Sequence, residues 1–345
     1  MSHVDVTVRG AGIFGLACAW ACLRRGARVR VVDPFGVAAG SSGGVVGALA
    51  PHVPENWNAK KAFQLDSLLM AGAYWAEIET VSGFSAGYAR LGRVQPLADD
   101  RAVEMARARE VSAAELWGDH AEWRVVSDGG RFAPVSPTGL FVMDTLTARI
   151  HPRKACLALA EAIRRQGGEI VTEASDQGAV VHATGVAGLE VLSEVSGRAI
   201  GTGVKGQAAV LGFDAGEVPQ VFAGGVHVVP HADGTVAIGS TSERDYADAT
   251  GTDEALNQVI SAARAAVPAL ADAPVLARWA GVRPRARSRA PLLGAWPGRE
   301  GHFIANGGFK IGFGMAPKVG EVMADLILDQ TDTIPADFAV EAVWP

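Results

Sequence analysis

Four arginines stand at every second position of one short stretch, WAGVRPRARSRAPLLG, which covers residues 279–294. They are Arg283, Arg285, Arg287 and Arg289. A guanidinium in a pocket binds a carboxylate through two parallel hydrogen bonds, and a buried guanidinium needs such a partner. Four arginines on one face cannot all be buried, and Arg283 is the one nearest the apolar residues WAGV. The stretch therefore predicts that Arg283 points inward and holds either a ligand carboxylate or an ion pair within the protein.

The conformation of this stretch is constrained by Pro284 and Pro291. Proline lacks the backbone donor that a central strand requires, so a regular central strand is not expected here. We expect a loop at a domain junction, with the other three arginines solvated or bonded to loop carbonyls. A nucleic-acid patch is the alternative, but the chain as a whole is acidic, with a formal net charge of −6, which weighs against that alternative.

A second chemical signal lies near the N-terminus. The segment GAGIFG, residues 10–15, follows an alternating strand over residues 4–8 and opens an apolar helix over residues 13–25. In such a turn the three glycines permit the tight bend, the approach of a pyrophosphate and the close packing of helix on strand. The amides at the helix start, those of Ile13 and Phe14 included, face the phosphates. The glycines concerned are Gly10, Gly12 and Gly15.

The acid expected of a dinucleotide site is also present. Asp33 ends a second strand over residues 28–33, where its carboxylate can accept hydrogen bonds from a ribose diol. Packing alone would explain the three glycines, but it would leave Asp33 unexplained. The strand, helix, strand and acid together predict dinucleotide binding.

Two further glycine-rich segments favour a flavin over a nicotinamide. GVAAGSSGGVVGALA covers residues 36–50, and NGGFKIGFG, residues 306–314, precedes the last predicted helix. A flavin ring is large and flat, so covering it takes backbone amides without bulky side chains. The amides before the last helix can also face a carbonyl that carries negative charge, as reduced flavin requires. Surface loops with glycine-permitted turns are the alternative.

The rest of the chain alternates between α/β and β-rich blocks. Helices are predicted over residues 58–80, 99–117, 152–166 and 253–267, with Thr252 as the N-cap of the last of these. Strands are predicted over residues 170–172 and 179–182, and Asp233-Gly234 marks an antiparallel hairpin. This order predicts two domains in space that are built from an interleaved chain.

Composition limits the remaining possibilities. The chain has 345 residues, of which 49% are hydrophobic and 20% charged, as is typical of a packed protein. The three cysteines (Cys18, Cys22 and Cys156) have no metal or disulfide spacing and are expected to be buried thiols. No metal is expected, since the eight histidines are scattered. No apolar run is long enough to span a membrane, so a cytoplasmic location is expected and the oligomeric state stays open.

Taken in order, the motifs resemble the D-amino-acid oxidase superfamily, which includes glycine oxidase and monomeric sarcosine oxidase. They are GAGIFG…VVDP, GSSGGVVGALA, VVHATG, VKGQ, WAGVRP and NGGFKIGFGMAPKVGEVMADLI. The resemblance implies an α/β fold in which a Rossmann-type FAD-binding domain is interleaved with an α+β substrate domain that contains an antiparallel sheet. It assigns residues 1–80, 148–204 and 286–345 to the FAD-binding domain, and residues 81–147 and 205–285 to the substrate domain.

The resemblance also implies an activity. It implies oxidation of the C–N bond of a small amino acid or N-alkyl amino acid of the glycine, D-amino-acid or sarcosine type. Hydride passes from the α-carbon to flavin N5, the imine hydrolyses, and O2 reoxidises the flavin to give H2O2. The implied partners are the amino-acid or amine substrate and O2 as acceptor, with neither nucleic acid nor membrane involved.

Residue roles follow from the same resemblance. Arg283 falls where the family holds the substrate carboxylate, Lys310 is a second carboxylate or flavin contact, and Tyr246 can add a hydroxyl to the pocket. His52 is equally consistent with a place near the ring and with an ordinary loop histidine. The implied FAD contacts are Gly10, Gly12, Ile13, Phe14, Gly15, Asp33, Pro34, Ser41, Ser42, Gly47, Ala48, Leu49, Val171, Ala183, Thr184, Gly185, Gly308, Phe309, Lys310, Ile311 and Gly312.

The chain departs from the sarcosine oxidases in ways that matter. GVRP carries Arg283 where those enzymes have the cysteine that tethers flavin, so FAD is expected to be non-covalent. Ser288 replaces the usual acid, and the connection before VVHATG is short. The substrate class is therefore left open. A tRNA wobble-uridine-modifying relative and a partner-dependent flavin subunit or dehydrogenase remain as alternatives.

Overall fold

The computed structural model describes residues 3–345. Its helices are α1 Ile13–Arg24, α2 Ala59–Ser82, α3 Asp100–Trp117, α4 Pro152–Arg165, α5 Gly185–Ser196, α6 Glu254–Ala266 and α7 Gly312–Asp329. Its strands are β1 Val6–Arg9, β2 Val29–Val32, β3 Ala48–Leu49, β4 Arg93–Pro96, β5 Trp123–Val126, β6 Phe141–Asp144, β7 Ala148–Arg149, β8 Glu169–Val171, β9 Ala179–His182, β10 Gly201–Gly212, β11 Gln220–Ala223, β12 Val226–Pro230, β13 Thr235–Gly239, β14 Val275–Ala286, β15 Leu292–Ala295 and β16 His302–Asn306.

One six-stranded sheet carries the order β15-β16-β9-β1-β2-β8. All its pairs are parallel except β15 with β16. Helices α1, α4 and α7 cover one face and share a large core with the inward side chains of β1 and β9. A smaller core on the other face joins α5 to β16 and the C-terminal residues. Burial on both faces is consistent with the short, mostly apolar β9 and with the full burial of Val6, Thr7 and Val8 in β1.

The second sheet has eight strands in the order β14-β10-β13-β12-β11-β4-β6-β5. Its pairs are antiparallel except β11 with β4, which are parallel. Helix α6 packs on one face, where Leu256 and Ile260 contact an apolar cluster that includes Val221 and Ile238. Together, the two sheets confirm the predicted fold class, and their strands come from alternating parts of the chain as expected. The residue boundaries of the two domains stay a prediction.

The arginine stretch is a strand, which corrects the expectation of a loop. Residues Val275–Ala286 form β14 and pair along their length with β10. Because β14 is the edge strand of its sheet, Pro284 costs no ladder hydrogen bond on the outer side, where proline is tolerated. The chain leaves the strand only at Arg287, and Arg289 has a positive φ of 61° in the turn that follows.

Most predicted helix starts are confirmed by capping contacts. The side chains of Asn58 and Asp99 accept hydrogen bonds from backbone amides in the first turns of α2 and α3. For α6 the N-cap is Asp253, which accepts from the amide of Ala255, and the prediction of Thr252 is wrong by one residue. The three cysteines are free and buried as predicted. Among residues 3–345, no helix is both long enough and apolar enough to cross a bilayer.

Candidate active site

The turn between β1 and α1 uses its glycines for two different purposes. A methyl group on Gly10 would lie 2.4 Å from the carbonyl oxygen of Ala183, and one on Gly15 would lie 1.9 Å from the carbonyl oxygen of Gly10. Both positions therefore need glycine for the fold itself. Gly12 has an ordinary extended backbone, with φ −82° and ψ 179°, and a methyl group there would approach only the Ser42 hydroxyl, at 3.2 Å.

The absence of a side chain at Gly12 therefore leaves space in front of α1 rather than relieving backbone strain. The amide of Ile13 at this helix start donates to the Ser42 hydroxyl at 3.0 Å. No acidic residue lies in the first turn of α1, and its N-cap residue, Gly12, has no side chain that could cap the helix. A helix start that is open and unneutralised in this way is suited to a phosphate.

Asp33 lies beside this space. One of its carboxylate oxygens accepts from the amide of Ala11 at 2.8 Å and the other from the amide of Phe35 at 2.9 Å. Each oxygen keeps a free lone pair, which is what a ribose diol requires. The amide of Asp33 donates to the carbonyl of Val171 at 3.0 Å, so the end of β8 is held beside the end of β2.

The glycine-rich segment after β2 folds over the same region. Ser41–Gly43 form a short 3-10 helix, and Gly47 lies so close to Ile150 that a methyl group would come within 1.9 Å of its carbonyl oxygen. At the end of β9 the amide of Ala183 donates to the carbonyl of Arg9 at 2.7 Å. The predicted FAD contacts thus come together around the carboxyl ends of β1, β2, β8, β9 and β16, the crevice where such sheets bind nucleotides.

Arg283 projects from the face of β14 that looks toward this crevice. Trp279 lies on the same face, since side chains two and four residues apart share a face, and its ring is within 3.3 Å of a methyl group built on Gly44. The Arg283 guanidinium donates to the Ser240 hydroxyl at 2.5 Å and to the Thr241 carbonyl at 3.4 Å. It forms no ion pair with any carboxylate in residues 3–345, and burial lowers its pKa to about 10.

Room for this guanidinium comes from a glycine on the neighbouring strand. Gly206 belongs to the VKGQ segment of β10, and a methyl group there would lie 1.7 Å from Nη2 of Arg283. Any other residue at this position would therefore displace the guanidinium. No feature of the sequence alone marks Gly206 as a site residue, because the pairing of β10 with β14 is a long-range contact.

Lys310 is brought to Arg283 by the loop before α7. The amide of Phe309 donates to the carbonyl of Pro284 at 3.0 Å, and Phe309 has a positive φ of 44°. Burial, together with the charge of Arg283, lowers the pKa of Lys310. The ring of Phe309 lies 5.6 Å from the Lys310 ammonium and 5.8 Å from the Arg285 guanidinium. Lys310 thus lines the cavity with Arg283 near enough for the two charges to interact, and neither cation forms an ion pair with a carboxylate in residues 3–345.

His227 is a site residue that sequence reasoning missed. Its Nδ1 is buried without a hydrogen-bond partner, and burial, with the charges of Arg93 and Lys310, lowers its pKa to about 4. A neutral imidazole therefore faces the cavity. The sequence signal that could have identified His227 is its position in the alternating pattern of the predicted hairpin. The cavity is lined by Ala48, Leu49, Ala50, Gln64, His227, Lys310, Ile311 and Gly314.

Tyr246, which was expected at the pocket, and His52, whose place was left open, both lie elsewhere. The hydroxyl of Tyr246 lies 2.7 Å from a methyl group built on Gly203, and Gly203 is three residues from Gly206 on one regular strand. Gly203 therefore faces the opposite side of the sheet from Arg283. Because the Tyr246 hydroxyl lies at Gly203, the structure does not bring Tyr246 to the two cations. His52 bonds to Gln64, which lines the cavity, so this histidine lies one side chain behind the wall.

The comparisons with known proteins agree with this geometry. Residues 5–326 match the family model described as FAD dependent oxidoreductase. Glycine oxidase of Pseudomonas putida is 27% identical over 98% of both chains. The crystal structure of glycine oxidase from Geobacillus kaustophilus superposes with a TM-score of 0.86 at 21% identity over 99% of both chains. That of iminodiacetate oxidase from Chelativorans sp. gives 0.84 at 20% identity over 97% of this chain and 98% of its own.

The chain therefore belongs to the FAD dependent oxidoreductase family, the family of the D-amino-acid oxidases, and FAD is its cofactor. The residues fit the group, since the free space at Gly12, the open start of α1 and the spare lone pairs of Asp33 match a pyrophosphate and a ribose. Within residues 3–345 no three histidine, cysteine or acidic side chains cluster as a metal site.

Proposed function

We propose that this enzyme oxidises the C–N bond of a small amino acid or N-alkyl amino acid and that O2 is its electron acceptor. The observation that carries the proposal is the pair of cations, Arg283 and Lys310, which face the flavin side of the eight-stranded sheet without a protein carboxylate. Unpaired cations in a partly desolvated cavity are costly unless a ligand anion joins them.

The carboxylate of an amino acid supplies that anion. The guanidinium of Arg283 can donate a charge-assisted hydrogen bond to it, and the ammonium of Lys310 can donate to a second lone pair of the same carboxylate. A carboxylate held by both cations fixes where the α-carbon lies. Charge complementarity therefore orients the C–H bond, which is the main task the protein performs for this reaction.

The amine end of the substrate is left to neutral groups. The imidazole of His227 lines the cavity together with Gln64, and its buried Nδ1 has no hydrogen-bond partner in residues 3–345. Because His227 is uncharged at neutral pH, it can hydrogen-bond an amine without repelling or ionising it. FAD, when bound, would accept the hydride. Water would then hydrolyse the imine product without a side chain of the protein acting as acid or base.

The relatives support this assignment. Two relatives that align along nearly their full length carry the name glycine oxidase, and a matching fold carries the name iminodiacetate oxidase. Both names describe amines with a carboxylate one carbon away.

Anaerobic reduction tests the proposal. The FAD-loaded protein is mixed without oxygen with glycine, sarcosine, proline, iminodiacetate and D-amino acids, and its flavin absorption is followed. We expect at least one of these to bleach the band, and we expect air to restore it with formation of H2O2. A band that none bleaches would remove the amino-acid assignment in favour of a tRNA substrate or a partner-dependent subunit. Bleaching that air does not reverse would instead identify a dehydrogenase.

A further inference from the structure

A second cavity lies on the far side of the six-stranded sheet from α1. Arg9 and His182 are register partners on neighbouring strands, so their side chains share a face. That face is the one covered by α5, as the core beneath it shows. The connection between β8 and β9 spans only residues 172–178. The cavity measures about 310 Å³ and is separate from the substrate cavity described above.

The walls combine aromatic rings with an apolar helix face. The rings of His182 and Trp296 meet edge to face with their centroids 4.7 Å apart. His302 stacks behind His182 and shares a 3.0 Å hydrogen bond with it. Helix α5 forms the opposite wall. The lining residues are Arg9, His182, Thr184, Ala187, Gly188, Val191, Leu192, Trp296, Arg299 and Asn306.

The mouth of this cavity is positively charged. The guanidinium of Arg299 lies 5.2 Å from the ring centre of Trp296 and has no ion pair in residues 3–345. Arg9 uses Nε and Nη2 on Asp176 and on the carbonyl of Ala174, and its Nη1 makes no hydrogen bond with a described residue. No carboxylate lines the cavity. Burial and these positive neighbours lower the pKa of His182 to about 4, so the ring is neutral at pH 7.

We propose that this second cavity, between α5 and the β15–β16 hairpin, binds a small aromatic carboxylate. The aromatic body fits between Trp296, His182 and the apolar side chains of α5, where ring–ring contacts add to burial of apolar area. The carboxylate meets Arg299 and the free nitrogen of Arg9 at the mouth. The proposal does not rest on the proposed oxidation, because no residue lines both this cavity and the substrate cavity, although Thr184 in its wall is also an implied FAD contact.

Calorimetric titration of the FAD-loaded protein with benzoate tests the site. We expect a binding event with a Kd below about 1 mM that leaves the flavin absorption unchanged. Cyclohexanecarboxylate has the charge without the aromatic ring, and benzamide has the ring without the charge, and each is expected to bind at least about tenfold more weakly. Equal affinity for either analogue would overturn the assigned ligand class.

Variants locate the event. Val191 is 47% exposed at the mouth of the second cavity. The variant Val191→Trp should fill the cavity, and we expect the calorimetric signal of benzoate binding to disappear. Val195→Trp is the matched control, since Val195 is 61% exposed one turn further along α5 and does not line the cavity. Arg299→Met, at an exposed position, is expected to weaken binding about tenfold.

The result that would contradict the site is a benzoate event that survives Val191→Trp and Arg299→Met. Benzoate could also bind at the flavin side of the sheet. That event is recognised by a change in flavin absorption and by its loss in Arg283→Met. If this is the only event seen, the second cavity does not bind aromatic carboxylates.

Discussion

The amide of Phe309 donates a 3.0 Å hydrogen bond to the carbonyl of Pro284. This single bond joins the loop before α7 to the free edge of β14. Arg283 precedes Pro284 and Lys310 follows Phe309, so the bond fixes the two cations as neighbours. Pro284 has no backbone N–H, so this edge of β14 is a poor partner for a further strand. Its carbonyl therefore stays available to the loop. The candidate carboxylate site is thus formed where β14, the edge strand of the eight-stranded sheet, meets the loop between β16 and α7.

Arg283→Met should lower kcat/KM by about 2–5 kcal/mol in transition-state free energy, because it removes a charge-assisted contact from a desolvated cavity. FAD should stay bound, since Arg283 belongs to the eight-stranded sheet. Steady-state kinetics with the best substrate of the panel measures the loss. Arg287→Met is the matched control on the same stretch, where the side chain is exposed, and it should behave like wild type. Unchanged kinetics in Arg283→Met would remove this residue from the site.

Gly206→Ala should impair substrate binding without unfolding the protein. The added methyl group would lie 1.7 Å from Nη2 of Arg283, so the guanidinium must move away from its place beside Ser240. We expect KM to rise about tenfold or more, which corresponds to a loss of one good charged hydrogen bond. Gly212→Ala on the same strand meets only side chains of Pro274 and Leu276, at 3.2–3.3 Å, and serves as control. Equal kinetics in the two variants would argue against a role for this space.

Gly12→Val should abolish FAD binding while the fold persists. Gly12 has an extended backbone that any residue adopts, and the only close neighbour of an added side chain is the Ser42 hydroxyl. The added bulk would instead occupy the space before α1 that suits a pyrophosphate. The ratio of flavin to protein absorption after gel filtration measures the loss, and circular dichroism checks the fold. Gly40→Ala, with no atom within 4 Å of the added methyl group, should stay yellow.

His227→Gln should make the protein less sensitive to mild acid. Burial holds the pKa of His227 at about 4 in the folded state, against an ordinary value of 6.5. As the pH falls from 6.5 to 4, the unfolded chain takes up a proton that the folded chain does not, so the free energy of unfolding decreases. Over this range His227 alone accounts for up to about 3 kcal/mol.

The difference in Tm between pH 7 and pH 4.5 measures this effect on FAD-loaded protein. We expect a smaller difference in His227→Gln than in wild type. The exposed His120 provides the control variant His120→Gln, which should keep the wild-type difference. An acid sensitivity that is the same in all three proteins would mean that His227 is not held neutral by burial.

The N-terminal glycine turn and the acid beside it could be predicted because the residues that form them lie within one short segment of the chain. The glycines, the strand and helix they join and the acid that follows lie within residues 4–33, and the bonds that hold Asp33 run to Phe35, two residues on, and to Ala11 in the same strand–helix–strand unit. The apolar periodicity of the helices and their N-cap residues are local signals as well.

The parts that were missed depend on contacts between distant residues. β14 is a strand because β10 pairs with it, and Pro284 is tolerated there because β14 is the edge strand of its sheet. Tyr246 faces away from Arg283 through the register of the same pair. His227 became visible as a site residue only when the loop before α7 placed Lys310 near its ring.

The most direct test compares a carboxylate with its neutral amide during flavin reduction. Rapid mixing of the FAD-loaded protein with glycine and with glycinamide, or with the best substrate of the panel and its amide, gives the rate of bleaching for each without oxygen. If Arg283 and Lys310 hold the carboxylate, the acid should reduce the flavin at least about a hundredfold faster at low concentration, and Arg283→Met should remove most of that advantage. Equal reduction by acid and amide in wild type would contradict the account.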